Sequence, residues 1–446
     1  MSYLQVYGQT QNLVNPATQY VAGLELYGGF RKFQNLGFYG QLASGSFFTT
    51  PNLPQYTWWE TFPFAPSNQP NLYRDFVSYP ALNPGSGLSY GPDITFTRAS
   101  SATFTGSNGL IQYASANQPR FDYDPTTLKC QGFLIESNRT NLLLYSEQLN
   151  TVWGGNLVTV VPNATISPDG SLTADKLTST GTDAYLAQNV VGTATQTFTG
   201  SVWLRADAPV TFYIQFSDST LGVSNTACSV TTTWKRFSVK RTLPIGATSV
   251  NFVFGGGSTF TTGQSVYAWG VQTELGAFPT SYIPTTSATV TRSADVAAVA
   301  GSNFNAIYNP NEGSVYAEFQ NQGGVQTGFP ACPYTLQNDF GYACAGTSMF
   351  LFRPAGTNTS GTITGLTDGT FYKSALSYTK TSAVEYLAGQ LDITSTSPQT
   401  VESTGFGIGC SSVNGQGGNG QLNNHLAVIA YFPRALANGN LQALTA

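Results

Sequence analysis

From Val210 to Phe216 every second residue is large and apolar: Val210, Phe212, Ile214 and Phe216 share one side of an extended chain, with Thr211, Tyr213 and Gln215 on the other. A period of two is the pattern of a strand with one buried face, and a helix cannot bury it on a single side. The alternation returns in Phe237–Val239, Val250–Phe254 and Val266–Leu275, with turn-forming stretches at Pro168-Asp-Gly170 and Gly255-Gly-Gly-Ser258. Residues 146–290 are therefore expected to form one antiparallel β-sandwich of the jelly-roll kind.

Residues 291–446 repeat the pattern less strictly. Val315, Ala317 and Phe319 alternate with Tyr316 and Glu318, and Phe406–Cys410 and His425–Phe432 supply later apolar runs. These predict a second antiparallel sandwich. Its last residues read as a short helix with Asn438 at the N-cap and Leu441 and Leu444 turned inward.

Residues 1–92 are of another kind. They hold 19 aromatic residues but only six charged ones, and Pro51, Pro54, Pro63, Pro66, Pro70, Pro80 and Pro84 break any long helix or central strand. So many rings must be covered, yet the stretch is too broken to build a large core. We expect an irregular arm that packs on other polypeptides; a small irregular domain is the alternative. The whole chain is thus expected to be all-β, an irregular N-terminal anchoring arm followed by two antiparallel β-sandwich domains.

Charge is scarce throughout: 9% of residues are Asp, Glu, Lys or Arg and the net charge is −4, against about 25% charged residues in ordinary soluble domains. The polar surface falls to Ser, Thr, Asn, Gln and Gly, which oppose association weakly. The basic residues are dispersed, so no stripe exists to drive nucleic-acid binding. No apolar run is long enough for a membrane-spanning helix, and the first residues lack the pattern of a secretory signal. The five cysteines include no Cys-x-x-Cys pair and there is one histidine, so buried reduced thiols are expected rather than a zinc site; a Cys332–Cys344 bridge stays open.

Between the arm and the first sandwich, residues 93–145 read as a connecting module with a run of distinctive blocks: Ile94-Thr-Phe-Thr-Arg-Ala-Ser-Ser-Ala-Thr-Phe104, Asn108-Gly-Leu-Ile111, Pro119-Arg-Phe-Asp-Tyr-Asp-Pro125, Gly132-Phe-Leu-Ile-Glu136 and Arg139-Thr-Asn-Leu142. In their order and spacing they resemble the opening module of bacteriophage tail-fibre and virion-surface proteins. The blocks Ser201–Ala206, Thr233–Phe237 and Trp269–Pro284, closing on Val290-Thr-Arg-Ser-Ala-Asp295, are similar to the same proteins, where this region resembles jelly-roll carbohydrate-binding modules. The entry strand Asn311–Phe319, the Tyr386–Leu391 hairpin and the Tyr431-Phe-Pro-Arg ending resemble concanavalin-A-like, laminin-G-like lectin domains; where such a hairpin usually carries Asn-Gly, this chain has Ala388-Gly389.

The resemblance covers about 93–446 and implies a non-enzymatic virion component, a tail fibre, spike or head fibre. It would be made in the host cytoplasm, anchored to other virion proteins through residues 1–92, homotrimeric, and carry lectin-like domains toward host cell-surface polysaccharide. A capsid-surface decoration or cement protein, or a tail accessory protein, is the alternative, and a polysaccharide depolymerase a third.

No catalytic, cofactor or metal motif stands out. Asp122 and Asp124 read as turn residues that accept from nearby backbone N–H groups, and Glu136 and Arg139 as a local ion pair. Asp122, Asp124 and Glu136 as a glycosidase pair would need a fixed separation that sequence does not give. Asp169 or Asp175 as calcium ligands would need several more oxygens. His425 reads as a sheet residue at a domain edge. The best site expectation is sugar binding, with the candidate aromatic contacts Trp153, Tyr185 and Tyr213.

Overall fold

A computed structural model describes residues 70–83, 91–256, 260–322, 327–334, 341–345, 348–352, 359–396, 403, 405–410 and 420–446, together with 2–6 and 9–13; of 2–6, 9–13, 327–334, 341–345, 350 and 352 it describes the backbone alone. The protein is all-β, 51% strand and 4% helix. No helix among the described residues is long and apolar enough to cross a membrane.

The chain opens with β1 (Ser2–Val6) and β2 (Gln9–Leu13), an antiparallel pair; the remainder of the expected arm before Pro70 lies outside the described residues. Then come β3 (Leu72–Asp75), β4 (Thr95–Thr97), β5 (Ala102–Thr105), β6 (Ile111–Ala114), β7 (Arg120–Tyr123), β8 (Cys130–Ile135) and β9 (Arg139–Asn141).

Ten consecutive strands follow: β10 (Gly154–Asn156), β11 (Val158–Thr165), β12 (Ala174–Ser179), β13 (Tyr185–Val191), β14 (Thr197–Arg205), β15 (Val210–Asp218), β16 (Val223–Val230), β17 (Lys235–Thr242), β18 (Ser249–Gly255) and β19 (Ser265–Leu275). They form two five-stranded antiparallel sheets, β10-β13-β18-β15-β16 and β11-β12-β19-β14-β17. Phe212, Ile214 and Phe216 of β15 are fully buried, as their alternation requires, and meet Phe252 and Phe254 of β18 and Val202 and Leu204 of β14 in one core.

The chain then continues with β20 (Val290–Arg292), β21 (Val296–Ala300), α1 (Gly301–Asn305), β22 (Glu312–Gln320), β23 (Thr327–Tyr334), β24 (Gly341–Ala345), β25 (Ser348–Phe352), β26 (Thr359–Thr364), β27 (Phe371–Thr379), β28 (Ala383–Leu387), β29 (Gln390–Ser395), β30 (Gly405–Ile408), β31 (Asn424–Phe432) and α2 (Asn438–Thr445). Its two sheets are β26-β25-β24-β23-β30-β21-β4 and β29-β28-β27-β22-β31-β8-β7, with β3 also paired to β31. α2 lays Leu441 and Leu444 on the outer side of the second sheet; its N-cap is Ala437, with no side-chain cap, and Asn438 lies one residue inside.

The second sandwich therefore departs from its expected limits. It does not begin at 291: β4, β7 and β8, from the module read as a connector, and β3, from within the stretch read as an arm, are strands of its sheets. Leu72, Phe76, Ile94, Phe133 and Ile135 sit in its core beside Val315, Phe319 and Ile429. The first sandwich is an insertion into this domain. β9 leads into it, β20 leads out, and the two pair antiparallel, Asn141 with Val290 and Arg139 with Arg292.

A buried ionic network locks that stem, and it explains the module's arginines and acids. Asp295 takes Arg98 Nη1 at 3.1 Å and Arg120 Nη2 at 2.5 Å; Glu136 takes Arg120 Nη1 at 2.8 Å and lies 3.3 Å from Arg292 Nη1. Glu136 also accepts from the backbone N and Oγ of Ser281, in the segment returning from the insertion. Burial alone would push the Glu136 carboxyl up, but Arg292, Arg120 and Ser281 outweigh it and hold it well below the usual carboxylate range. Burial likewise disfavours the Arg120 cation, and Asp295 and Glu136 more than reverse this. The local Glu136–Arg139 pair does not form: Arg139 lies 3.5 Å from Glu274 of β19 instead, because the stem strand carries its side chain toward the inserted sandwich.

Candidate functional site

The outward residues of the β10-β13-β18-β15-β16 sheet form a face without Asp, Glu, Lys, Arg or His. They alternate with the core positions: Tyr185, Ala187, Asn189 and Val191 on β13; Ser249, Asn251 and Val253 on β18; Thr211, Tyr213, Gln215 and Ser217 on β15; Val223, Asn225, Ala227 and Ser229 on β16. Strand pairing arranges them in rows. Tyr185 is opposite Gly255, and on the far side of β18 Ile214 is opposite Phe254, which sets Tyr213 alongside Gly255. The tyrosines thus stand two strands apart, roughly 10 Å between backbones, with a glycine between them.

Gly255 has φ +72, and a Cβ there would come within 2.8 Å of the Phe260 Cβ and 2.9 Å of the Ala184 carbonyl oxygen. A side chain at 255 therefore does not fit, and Gly255 itself is buried between the two tyrosine-bearing strands. Asn156 of β10 flanks Tyr185 on its other side. Farther along, Asn189 donates through Nδ2 to Asn251 Oδ1 at 3.0 Å, and Gln215 pairs across with Asn225. Aromatic faces at one end and amides along the rest offer stacking and hydrogen bonding without charge.

Of the three expected aromatic contacts, Tyr185 (41% exposed) and the half-buried Tyr213 lie on this face, and Trp153 does not. Trp153 is 8% exposed, its ring 5.6 Å from Phe254 and 6.4 Å from Phe252 by centroid. Its indole N–H donates to the Tyr145 carbonyl. Buried among core rings, it is not placed to stack on a ligand. Sequence reading does not single out Asn189, Gln215, Asn251 or Gly255, although the polar half of the alternation holds Gln215 and Asn251.

The other side chains considered have structural partners. Asp124 accepts from the N–H groups of Thr126 and Thr127 at its turn, as expected of an Asp there. Asp122 accepts from the Thr105 N–H and faces His425 Nε2 at 2.9 Å, while His425 Nδ1 faces Gln320 Oε1 at 2.6 Å. His425 is thus enclosed between β22 and β8 rather than placed at an edge. Asp175 accepts from the Leu149 and Asn163 N–H groups, and Asp169 from Ser167 and Ser171. Among the described residues no three His, Cys, Asp or Glu side chains converge on a metal position. Cys130 and Cys228 are free thiols, and Cys410 Sγ donates to the Ala297 carbonyl at 3.3 Å; the side chains of Cys332 and Cys344 lie outside the described residues.

No known protein family and no curated protein sequence matches the chain. Among solved structures it is similar to the enzymatically active domain of tailspike protein 4 of Bacteriophage CBA120, with 16% identity over 30% of this chain and 21% of that one, TM-score 0.25. It is also similar to the CBM40 module of the Ruminococcus gnavus IT-sialidase, bound to α2,6 sialyllactose (11% identity, 33% of this chain, 92% of that one, TM-score 0.28). A third is the LG1-3 region of the laminin α2 chain (9% identity, 57% of this chain, 66% of that one, TM-score 0.25). The chain spans about a fifth of the tailspike domain's length.

Proposed function

We propose that this protein is a non-catalytic, glycan-binding component of a virion surface, and that the inserted sandwich binds sugar through the uncharged face of its β10-β13-β18-β15-β16 sheet. The observation that carries the reading is the Tyr185–Gly255–Tyr213 row. A flat ligand in contact with two ring faces needs them about 7–8 Å apart at van der Waals distances of 3.5–4 Å, a gap that two tyrosines on alternate strands can close by leaning inward. A pyranose chair presents apolar C–H faces to aromatic rings and is rimmed by hydroxyls, which the neighbouring amides can meet. Contacts of this kind are individually weak and suit a protein displayed in several copies, where a second contact becomes intramolecular.

The virion reading rests on the resemblance over about 93–446; of its blocks, those within 94–142 and 290–295 also build the ionic stem and the strands around it. Anchoring through the aromatic-rich stretch before Pro70 belongs to the same proposal.

The test is to titrate the protein with neutral host-surface oligosaccharides by calorimetry. Tyr185→Ala and Tyr213→Ala are each expected to weaken binding about tenfold or more. Thermal stability should move by no more than about 0.5 kcal/mol for the exposed Tyr185. Unchanged affinity in both variants would remove this face from the account, and shortening of the oligosaccharide would replace binding by hydrolysis.

A further inference from the structure

The opposite sheet of the same sandwich carries a different kind of surface. Across β12, β19, β14 and the residue preceding β17, its outer side reads cation, ring, cation, ring. Lys176 is paired with Tyr267, Tyr267 with Arg205, and Trp234 lies beyond. The Arg205 guanidinium carbon is 4.8 Å from the Tyr267 ring centroid and 5.8 Å from that of Trp234, and Lys176 Nζ is 5.1 Å from Tyr267. Trp234 is itself fixed by donating from Nε1 to the Ile166 carbonyl at 3.0 Å.

The two cations differ in their partners. Lys176 is 3.2 Å from Asp207 Oδ2, which Tyr267 OH also approaches at 3.3 Å, so that carboxylate is occupied. Among the described residues Arg205 makes no ion pair and no hydrogen bond, and its Nε is buried without a partner. A guanidinium held between two rings, with its planar fork of donors unused, is set up for a planar, bidentate oxyanion. In a chain of net charge −4, with the outer face of the opposite sheet free of charge, an arginine beside a fixed indole, with only the exposed Asp207 carboxylate acting on it from nearby, is a local feature.

We infer that Arg205 is the centre of a second ligand site, distinct from the neutral face, that takes the carboxylate of an acidic saccharide. Arg205 holds the carboxylate, Trp234 gives the sugar ring a flat neighbour, and Lys176 neutralises Asp207 so that it does not repel the ligand. The inference does not depend on sugar binding at Tyr185 and Tyr213.

The experiment uses the full chain and three probes: oligogalacturonate, its methyl ester, which is the same chain without charge, and oligoglutamate, which has carboxylates without sugar. Tryptophan fluorescence and calorimetry should show saturable binding of oligogalacturonate alone, weakened by salt. Arg205→Gln should weaken it about tenfold or more, the scale of a lost charge-assisted hydrogen bond. Arg205→Lys keeps the charge without the fork and should fall between. Tyr185→Ala should leave it unchanged, so failure at the neutral face would be seen separately. Melting curves of both Arg205 variants check that the fold persists. Absent binding, equal binding of the ester or of oligoglutamate, or an unaltered affinity in folded Arg205→Gln protein would each overturn the inference.

Discussion

The two sandwiches are built from strands alike in length and pattern, yet one is continuous in sequence and the other is not. The inserted sandwich takes all ten strands from 154–275 and closes through main-chain bonds such as Tyr145 N to the Thr286 carbonyl. The outer domain brings β3, β4, β7 and β8 from before the insertion to β21–β31 after it. Covering the core is thus a local affair in one and a long-range affair in the other, and the buried ionic stem sits where the two meet. The domain whose strands are gathered from afar is the one whose limits sequence patterning cannot draw.

The largest effect that would break this comparison concerns autonomy. Residues 140–288 alone should melt as one cooperative unit in calorimetry, whereas 291–446 alone should not fold. The latter lacks Leu72, Phe76, Ile94, Phe133 and Ile135, which at roughly 2 kcal/mol each amount to about 10 kcal/mol, comparable with a domain's whole stability. A folded 291–446 fragment would show that the leading strands are accessory.

Next comes the stem. Asp295→Ala leaves Arg98 and Arg120, both fully buried, without their shared carboxylate. Removing one member of a buried pair costs about 3–5 kcal/mol, readable as a lower denaturation midpoint. A loss under about 1 kcal/mol would mean that the network behaves like a surface ion pair.

The third effect is the response of the outer domain to pH. Glu385 of β28 is fully buried, accepts from Ser374 Oγ at 2.5 Å and adjoins Asp392; burial first, and then Asp392, push its carboxyl well above the ordinary value of 4.5. The fold keeps a proton that the unfolded chain releases, so the stability tied to it is complete below about pH 4.5 and is lost as pH rises toward the folded value. Glu385→Gln, which keeps the shape without the ionisation, should flatten the fall of the outer domain's melting temperature as pH rises above about 4.5. An identical slope in the variant would place that proton elsewhere.

The smallest effect is at the β28–β29 hairpin. Ala388 has φ +49 and Gly389 φ +78, a turn with two left-handed residues. Ala388→Asn should stabilise the outer domain by about 0.5–1 kcal/mol, since Asn tolerates that backbone better than Ala. A destabilised variant in urea melts would show that the methyl group is needed for packing.

What could be read from the sequence follows the same division. Alternation in Val210–Phe216 and Val250–Phe254 marked both the core and the face of the inserted sandwich, so Tyr213 could be turned outward from its neighbours alone. The pairing of Leu72–Asp75 with Val428–Tyr431 was hidden, because a four-residue strand amid prolines has no period to show and its partner is distant in the chain. Glu136 and Arg139 look paired because they are three residues apart, but extended backbone turns successive side chains to different sides, and tertiary partners decide. Trp153 precedes the first strand of its sheet, in a segment without alternation, so nothing local told its buried face from an exposed one.

Sugar binding is proposed for the uncharged strand face that carries Tyr185 and Tyr213. Ring-labelled tyrosine NMR on the full chain, titrated with a neutral oligosaccharide, tests it most directly. Saturable shifts of the Tyr185 and Tyr213 ring signals with one shared affinity are expected, while the signals of buried Tyr282 and Tyr378 stay still. Saturation with those two rings unmoved would contradict it.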